Sequence, residues 1–260
     1  MTKIVGMIPA RMGSSRFPGK PLAPILGLPM VQHVYARVAM CSALAEVYVA
    51  TCDQEIHDAV AAFGGKSIDT SVRHQRASDR CAEAAEGLDA DIVVMVQGDE
   101  PMTVPQMIDE AVAPMAGAPT IGCVNLAKRI LTIEEYQDPN TIKVVMDSSG
   151  NALYFSRQAI PTSAPSGLAG APVFKQVCII PFRRDTLLEY ARLDPTPLEV
   201  AESVDMMRLL EHGYKVRMVE TEHSSHAVDT EADRVMVESL MKDDPLVSQY
   251  APGKNEVRQG

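Results

Sequence analysis

Short apolar runs alternate with helix-length amphipathic segments along the first half of this chain, and that alternation constrains the fold more than any other feature. Residues 3–9 read as a buried strand, 29–42 as a helix, 46–51 as a second strand, and 53–63 and 79–88 as helices. Residues 91–96 (Asp-Ile-Val-Val-Met-Val) form the clearest buried strand. A helix over 104–115 and a strand near 120–126 follow. Continuous apolar strands between amphipathic helices predict an α/β fold, a mostly parallel sheet with helices on both faces. After about residue 128 the pattern changes to strands at 141–147, 152–156 and 173–182, with loop composition at 161–167. Helices at 184–192, 197–212 and 230–242 and a strand at 214–219 complete the pattern. The expected organisation is a nucleotide-binding α/β core from 1–128 and 214–245. A smaller mixed α/β subdomain, 129–213, is expected to close over it, and a polar tail at 251–260 is expected to be disordered.

At 260 residues and 46% hydrophobic composition the chain can bury a core without disulfide or metal staples. Its net charge of −10 and pI near 5.1 argue against nucleic acid as a partner, which needs Lys and Arg to neutralise phosphates. Five widely spaced cysteines without a CxxC pair point to free thiols in a reducing compartment. No apolar run approaches the roughly 18–20 residues of a membrane span. The sequence opens directly on strand-like residues, so a cytoplasmic protein without membrane contact is expected.

Residues 8–22 (Ile-Pro-Ala-Arg-Met-Gly-Ser-Ser-Arg-Phe-Pro-Gly-Lys-Pro-Leu) carry the strongest chemical signal. A strand ends in a glycine-bearing loop with two arginines and a lysine. Glycine admits phosphate oxygens close to backbone N–H groups. Arg11, Arg16 and Lys20 supply charge for a triphosphate whose β,γ part leaves as pyrophosphate. The loop is not a Walker A motif. Five residues separate Gly13 from Gly19, and Pro21 stands where Ser or Thr would ligate magnesium. The plain alternative is a basic surface loop.

Asp99 follows the buried strand 91–96, at the carboxyl end where open α/β sheets collect ligands. A carboxylate there suits Mg²⁺, which takes oxygen ligands alongside phosphates and water. Asp229 lies between a strand and a helix and is either a second ligand or a helix cap. The methionines, such as Met95, Met206 and Met207, sit in apolar patterns and read as core filling. His223 and His226 lack the matched partners zinc requires.

The opening loop closely resembles that of the CMP-Kdo synthetases (3-deoxy-manno-octulosonate cytidylyltransferases). The resemblance continues through Tyr48-Val49-Ala50-Thr51, Gln97-Gly98-Asp99-Glu100-Pro101, Ala152-Leu153-Tyr154-Phe155-Ser156-Arg157 and Val228-Asp229-Thr230. It implies a Rossmann-like fold of the nucleotide-diphospho-sugar transferase type, a homodimer, CTP as donor and Mg²⁺ as cofactor. It pairs Asp99 with Asp229 as metal ligands and makes Arg11, Lys20 and Asp99 the expected catalytic residues. Around the nucleotide it implies Pro9, Ala10, Arg11, Gly13, Ser14, Ser15, Arg16, Lys20, Gln97 and Gly98. The segment 70–80 lies beside the nucleotide in that family, which adds Thr70, Ser71, Arg76, Ser78 and Arg80.

The chain departs from the family pattern in two places. Arg76-Ala77-Ser78 stands where Ser-Gly-Thr is usual, and Arg76 adds a positive charge. On the acceptor side, His, Tyr and Gln of the pattern are replaced by Gln176, Ile180 and Val200, while Arg157, Glu199 and Glu202 are in place. These six are the expected acceptor-binding residues. The activity so implied is CMP transfer from CTP to a Kdo-like 3-deoxy keto acid, by in-line attack with release of pyrophosphate. A modified octulosonate, another keto-deoxy acid or a small phosphonate is the alternative acceptor, since loss of hydrogen-bonding groups changes which substrate fits. A related transferase using another nucleotide and a non-catalytic nucleotide-binding homologue are the remaining readings. The joint presence of Arg11, Lys20, Asp99 and Asp229 weighs against the last of these.

Overall fold

The computed structural model describes residues 2–13, 17–162 and 167–251. In chain order the first half runs β1 (Ile4–Pro9), β2 (Pro24–Ile25), β3 (Leu28–Pro29), α1 (Met30–Ala39), β4 (Glu46–Thr51), α2 (Gln54–Ala62), β5 (Ser67–Asp69), α3 (Ala77–Glu86), β6 (Ile92–Val96) and α4 (Pro105–Val112). The second half runs β7 (Val124–Arg129), α5 (Ile133–Gln137), β8 (Lys143–Met146), β9 (Ala152–Ser156), α6 (Gly167–Gly170), β10 (Phe174–Val177), β11 (Ile179–Arg183), α7 (Arg184–Tyr190), α8 (Pro197–Glu202), α9 (Met206–Glu211), β12 (Arg217–Glu220) and α10 (Glu231–Met241).

The first sheet has the order β11-β6-β1-β4-β5, parallel except for β11 against β6. Its side-chain alternation divides the interior in two, because successive residues of a strand point to opposite faces. Val93 and Met95 of β6 join Val5 and Met7 of β1 in one core with Cys81, Ala82 and Ala85 of α3 and Met206, Met207 and Leu209 of α9. Ile92, Val94 and Val96 pack on the other face with Val31, Val34 and Val38 of α1, Ile56 of α2 and Ile108 of α4. The α/β fold with a mostly parallel main sheet and helices on both faces is as expected, and the three methionines named above are buried.

The second sheet, β12-β7-β10-β8-β9, is mixed, with β12 parallel to β7 and the other pairs antiparallel. Its membership does not follow the expected divisions at residues 128 and 214. β11 completes the first sheet, and β7 and β12 lie in the second. The run 173–182 is two strands in different sheets, parted at Cys178, whose carbonyl accepts the Gln97 N–H at 3.2 Å. The helix expected over 197–212 is also two. Ser203 ends α8 in the left-handed region at φ 54°, and α9 starts three residues later. The expected disorder of 251–260 falls almost wholly outside the described residues.

Candidate active site

Three strand ends meet at the site. β1 ends in Pro9 and continues to Ala10, whose N–H donates to the Ala50 carbonyl at 3.0 Å, keeping the chain extended beside β4 before it turns. Met12 N–H donates to Asp53 Oδ2 at 2.7 Å, and the Gly19 N–H donates to the Met12 carbonyl at 3.2 Å. Gly19 has φ 72°, a left-handed conformation that favours glycine, and it turns the chain so that Lys20 heads back toward the strand ends. From β6 comes Gln97-Gly98-Asp99. A Cβ on Gly98 would stand 2.7 Å from the Pro9 carbonyl oxygen, so only glycine lets these two strand ends approach.

Lys20 Nζ is 2.7 Å from Asp99 Oδ2 and 3.2 Å from Asp229 Oδ1. The two carboxylates therefore lie within the span of one ammonium despite their separation along the chain. The Val228 N–H donates to the Asp99 carbonyl at 2.9 Å and sets Asp229 beside it. Asp229 is not the helix cap. Thr230 caps α10, in a capping box with Asp233, which leaves the Asp229 side chain turned to Lys20. Burial works against the charged form of Lys20, but Asp99 and Asp229 outweigh it and hold the ammonium pKa above its usual value. The neighbouring Glu100 is buried and receives the Ser225 hydroxyl. Burial, and then the charge of Asp99, push its carboxyl up to about 7.

Lys20, Asp99 and Asp229 line a cavity of about 310 Å³. Pro9, Ala10 and Arg11 come from the end of β1, Gln97, Gly98 and Asp99 from the end of β6, and Lys20, Pro21 and Asp229 from outside the sheet. His74, Gln75, Arg76, Ala77 and Arg80 form the wall at the start of α3. Four permanently basic side chains face two carboxylates, so the cavity is locally positive in an acidic protein. Such a surface suits a polyphosphate. Of the expected nucleotide residues, Ser14, Ser15 and Arg16 lie outside the described residues, and Gly13 is not among the lining ones.

Three further expected residues are not among those lining the cavity. Thr70 is buried and its hydroxyl accepts from Arg80; the Ser71 N–H donates to Glu83 at 2.7 Å; and Ser78 is buried with its N–H on Asp205. None of the three lines the cavity, because each is used to hold the wall. The lining residues His74, Gln75, Ala77 and Pro21 were not expected. His74 is fixed by Glu83, its Nε2 2.5 Å from the carboxylate, and the signal lay in the same segment 70–80.

The expected acceptor group does not assemble on this cavity. Ile180 is a core residue, 2% exposed and opposite Met95. Glu199 is 1% exposed, closes the capping box with Thr196 and is held by both Nε and Nη2 of Arg208. Val200 is 64% exposed. Gln176 donates to Asn125 Oδ1 at 2.6 Å. Glu202 accepts from the Tyr154 and Ser156 hydroxyls and the Arg157 N–H, and Arg157 donates its Nε to the Glu202 carbonyl and Nη1 to the Pro139 carbonyl. Among the described residues no cluster of three or more His, Cys, Asp or Glu is placed to hold a metal. The donor set available is the pair Asp99 and Asp229. Two hard carboxylate oxygens on a basic cavity fit Mg²⁺, which takes oxygen ligands. An ammonium now held between them shows that the pair accepts a cation.

A mostly parallel sheet with a basic glycine loop and paired carboxylates at its strand ends defines a nucleotidyltransferase, and the chain matches the family model described as cytidylyltransferase over residues 5–222. It is similar to the 3-deoxy-manno-octulosonate cytidylyltransferase of Geobacter metallireducens, 47% identical over 89% of this chain and 94% of that one. It is likewise similar to that of Geotalea uraniireducens, 45% identical over 92% of this chain and 99% of that one. Among solved structures, a CMP:2-keto-3-deoxy-manno-octonic acid synthetase complexed with CTP superposes with a TM-score of 0.86. It is 40% identical over 93% of this chain and 99% of that chain. A 4-diphosphocytidyl-2C-methyl-D-erythritol synthase from Anaerococcus prevotii, 12% identical with a TM-score of 0.63 over 93% of this chain and 99% of that one, shares the fold. The chain is thus a cytidylyltransferase. It belongs to the 3-deoxy-manno-octulosonate cytidylyltransferase (CMP-Kdo synthetase) family.

Proposed function

We propose that the chain transfers CMP from CTP to the hydroxyl of Kdo, releasing pyrophosphate. The observation that carries this reading is the single Lys20 ammonium held between Asp99 and Asp229 on a basic cavity. The acceptor oxygen bonds to the α-phosphorus as the bond to the departing pyrophosphate oxygen breaks in line, and the hydroxyl proton passes to solvent water. Asp99 and Asp229 would hold Mg²⁺, which when bound would neutralise phosphate charge and lower the pKa of the attacking hydroxyl. Lys20 leaves the carboxylates for the β,γ-phosphates, and Arg11 joins it in stabilising charge on the leaving group. Gln97, Gly98 and Arg80 hold the rest of the nucleotide, and Arg157 reaches the acceptor carboxylate once its ties to backbone carbonyls are exchanged. The relatives at 47% and 45% identity are 3-deoxy-manno-octulosonate cytidylyltransferases, which supports Kdo over an altered acceptor. A homodimer is part of the same reading. Exposed Leu153 of β9 and Val200 of α8, elements joined through Glu202, offer apolar surface for it. Free cysteines agree with a cytoplasmic location, and no described helix is long and apolar enough to cross a membrane. The test is pyrophosphate release with CTP, Mg²⁺ and a panel of acidic acceptors. Release with Kdo above every other acceptor is expected; release only with a phosphonate or another acid would contradict the Kdo assignment.

A further inference from the structure

We infer that Arg76 is a positioning residue that fixes the α3 wall of the cavity to the turn between α8 and α9, so that nucleotide affinity depends on a residue outside the cavity, Ser203. The inference rests on the reading of the cavity as the CTP site. α3 has no cap from its own side chains. The α8–α9 turn supplies the missing partners instead. Asp205 Oδ2 accepts the Ser78 N–H at 3.1 Å. Arg76, the residue that starts the helix, donates Nη1 to the Ser203 hydroxyl at 2.9 Å and Nη2 to the Glu199 carbonyl at 3.3 Å. Its Nε stands 3.5 Å from the Glu199 carboxylate. All three donor positions of the guanidinium thus face α8 and α9, although the same side chain lines the cavity.

The Glu199 acceptor is buried and held in place. Glu199 is gripped by Arg208, which also donates Nη1 to Asp79 of α3 at 2.8 Å. Ser203 has the left-handed backbone that ends α8. A planar fork can satisfy a hydroxyl, a carbonyl and a carboxylate together, whereas the point charge of lysine cannot. Releasing Arg76 frees the first turn of α3, and with it the placement of Arg80 one turn on. Lys20, Asp99 and Asp229 are held by one another and by the Val228–Asp99 backbone bond, not by α3, so loosening this wall weakens CTP binding and leaves the chemical step intact.

A double-mutant cycle on the full chain tests this. CTP affinity is read by calorimetry, and KM and kcat by pyrophosphate release with CTP, Mg²⁺ and Kdo. Ser203→Gly removes the hydroxyl while easing the left-handed backbone, so it does not unfold the turn. It should raise KM and Kd for CTP about fivefold, the effect of one lost hydrogen bond, with kcat within about twofold of the parent. Arg76→Ala should weaken CTP more, Arg76→Lys should fail to rescue it, and adding Ser203→Gly to Arg76→Ala should cost nothing further. If Ser203→Gly leaves CTP affinity unchanged, shifts only thermal stability, or multiplies with Arg76→Ala, Arg76 does not act through this turn and the inference fails. Failure of the parent chain to bind CTP would instead refute the functional reading.

Discussion

The Val228 N–H donates to the carbonyl of Asp99 across 2.9 Å, and this one backbone bond joins the end of β6 to the start of α10. It seats Asp229 beside Asp99, and the capping of α10 by Thr230 spares the Asp229 carboxylate from helix duty. Two distant stretches of sequence therefore present one pair of oxygens to a cation, here the ammonium of Lys20.

Lys20 is assigned to the β,γ-phosphates, which CTP has and CMP lacks. Lys20→Ala removes charge-assisted bonds worth about 1.5–3 kcal/mol, so CTP affinity should fall about tenfold to a hundredfold. CMP affinity should change by less than about twofold on the same scale. Calorimetric titration with both nucleotides checks this, and equal losses for the two would remove Lys20 from the leaving-group end.

Gly98 lies against the Pro9 carbonyl, with 2.7 Å available where a Cβ would go. Gly98→Ala should force the ends of β1 and β6 apart, costing about 1–3 kcal/mol of stability and most of the activity. Gly87 ends α3 at φ −88° with nothing within 4 Å of its added Cβ, so Gly87→Ala should stay within about 0.5 kcal/mol of the parent. Urea unfolding of the two variants makes the comparison. A tolerant Gly98→Ala would mean that the strand ends need not approach so closely.

His33 is buried in α1, its Nδ1 2.8 Å from the Tyr250 hydroxyl and its Nε2 2.7 Å from the Ile25 carbonyl. Burial lowers its pKa below 6.5, with the Ile25 carbonyl working the other way. The folded state thus resists a proton that the unfolded chain accepts. The stability this gives is present above pH 6.5 and is lost as pH falls toward the folded-state value. Denaturation midpoints should drop from pH 7 to pH 5, and the drop should be shallower in His33→Gln. Parallel pH profiles for the two proteins would contradict the assignment.

Much of this was legible in the sequence where a local pattern decides structure. Ile92–Val96 is apolar at every position because both faces of β6 are covered, and the loop through Gly19 and Lys20 advertised its chemistry by charge and glycine. What stayed hidden depended on contacts made at a distance. Ile180 looked like a substitution in an acceptor pocket, but its side chain enters the core because β11 pairs with β6, a pairing no local signal announces. Glu199 looked available until Arg208 and Thr196 enclosed it. The break between α8 and α9 contains neither glycine nor proline, so helical periodicity ran through it. Thr70, Ser71 and Ser78 belonged to the right segment, yet their polar groups turn to Arg80, Glu83 and Asp205 instead of to the cavity.

Asp99 and Asp229 are proposed to act together on one divalent ion. The magnesium dependence of pyrophosphate release from CTP and Kdo, measured for the parent, Asp99→Asn and Asp229→Asn, tests it most directly. Each variant should remain folded while losing about a thousandfold in kcat, with a rise in the magnesium concentration needed for half-maximal rate. Should either variant turn over near the parent rate with an unchanged magnesium requirement, the two carboxylates do not share a metal.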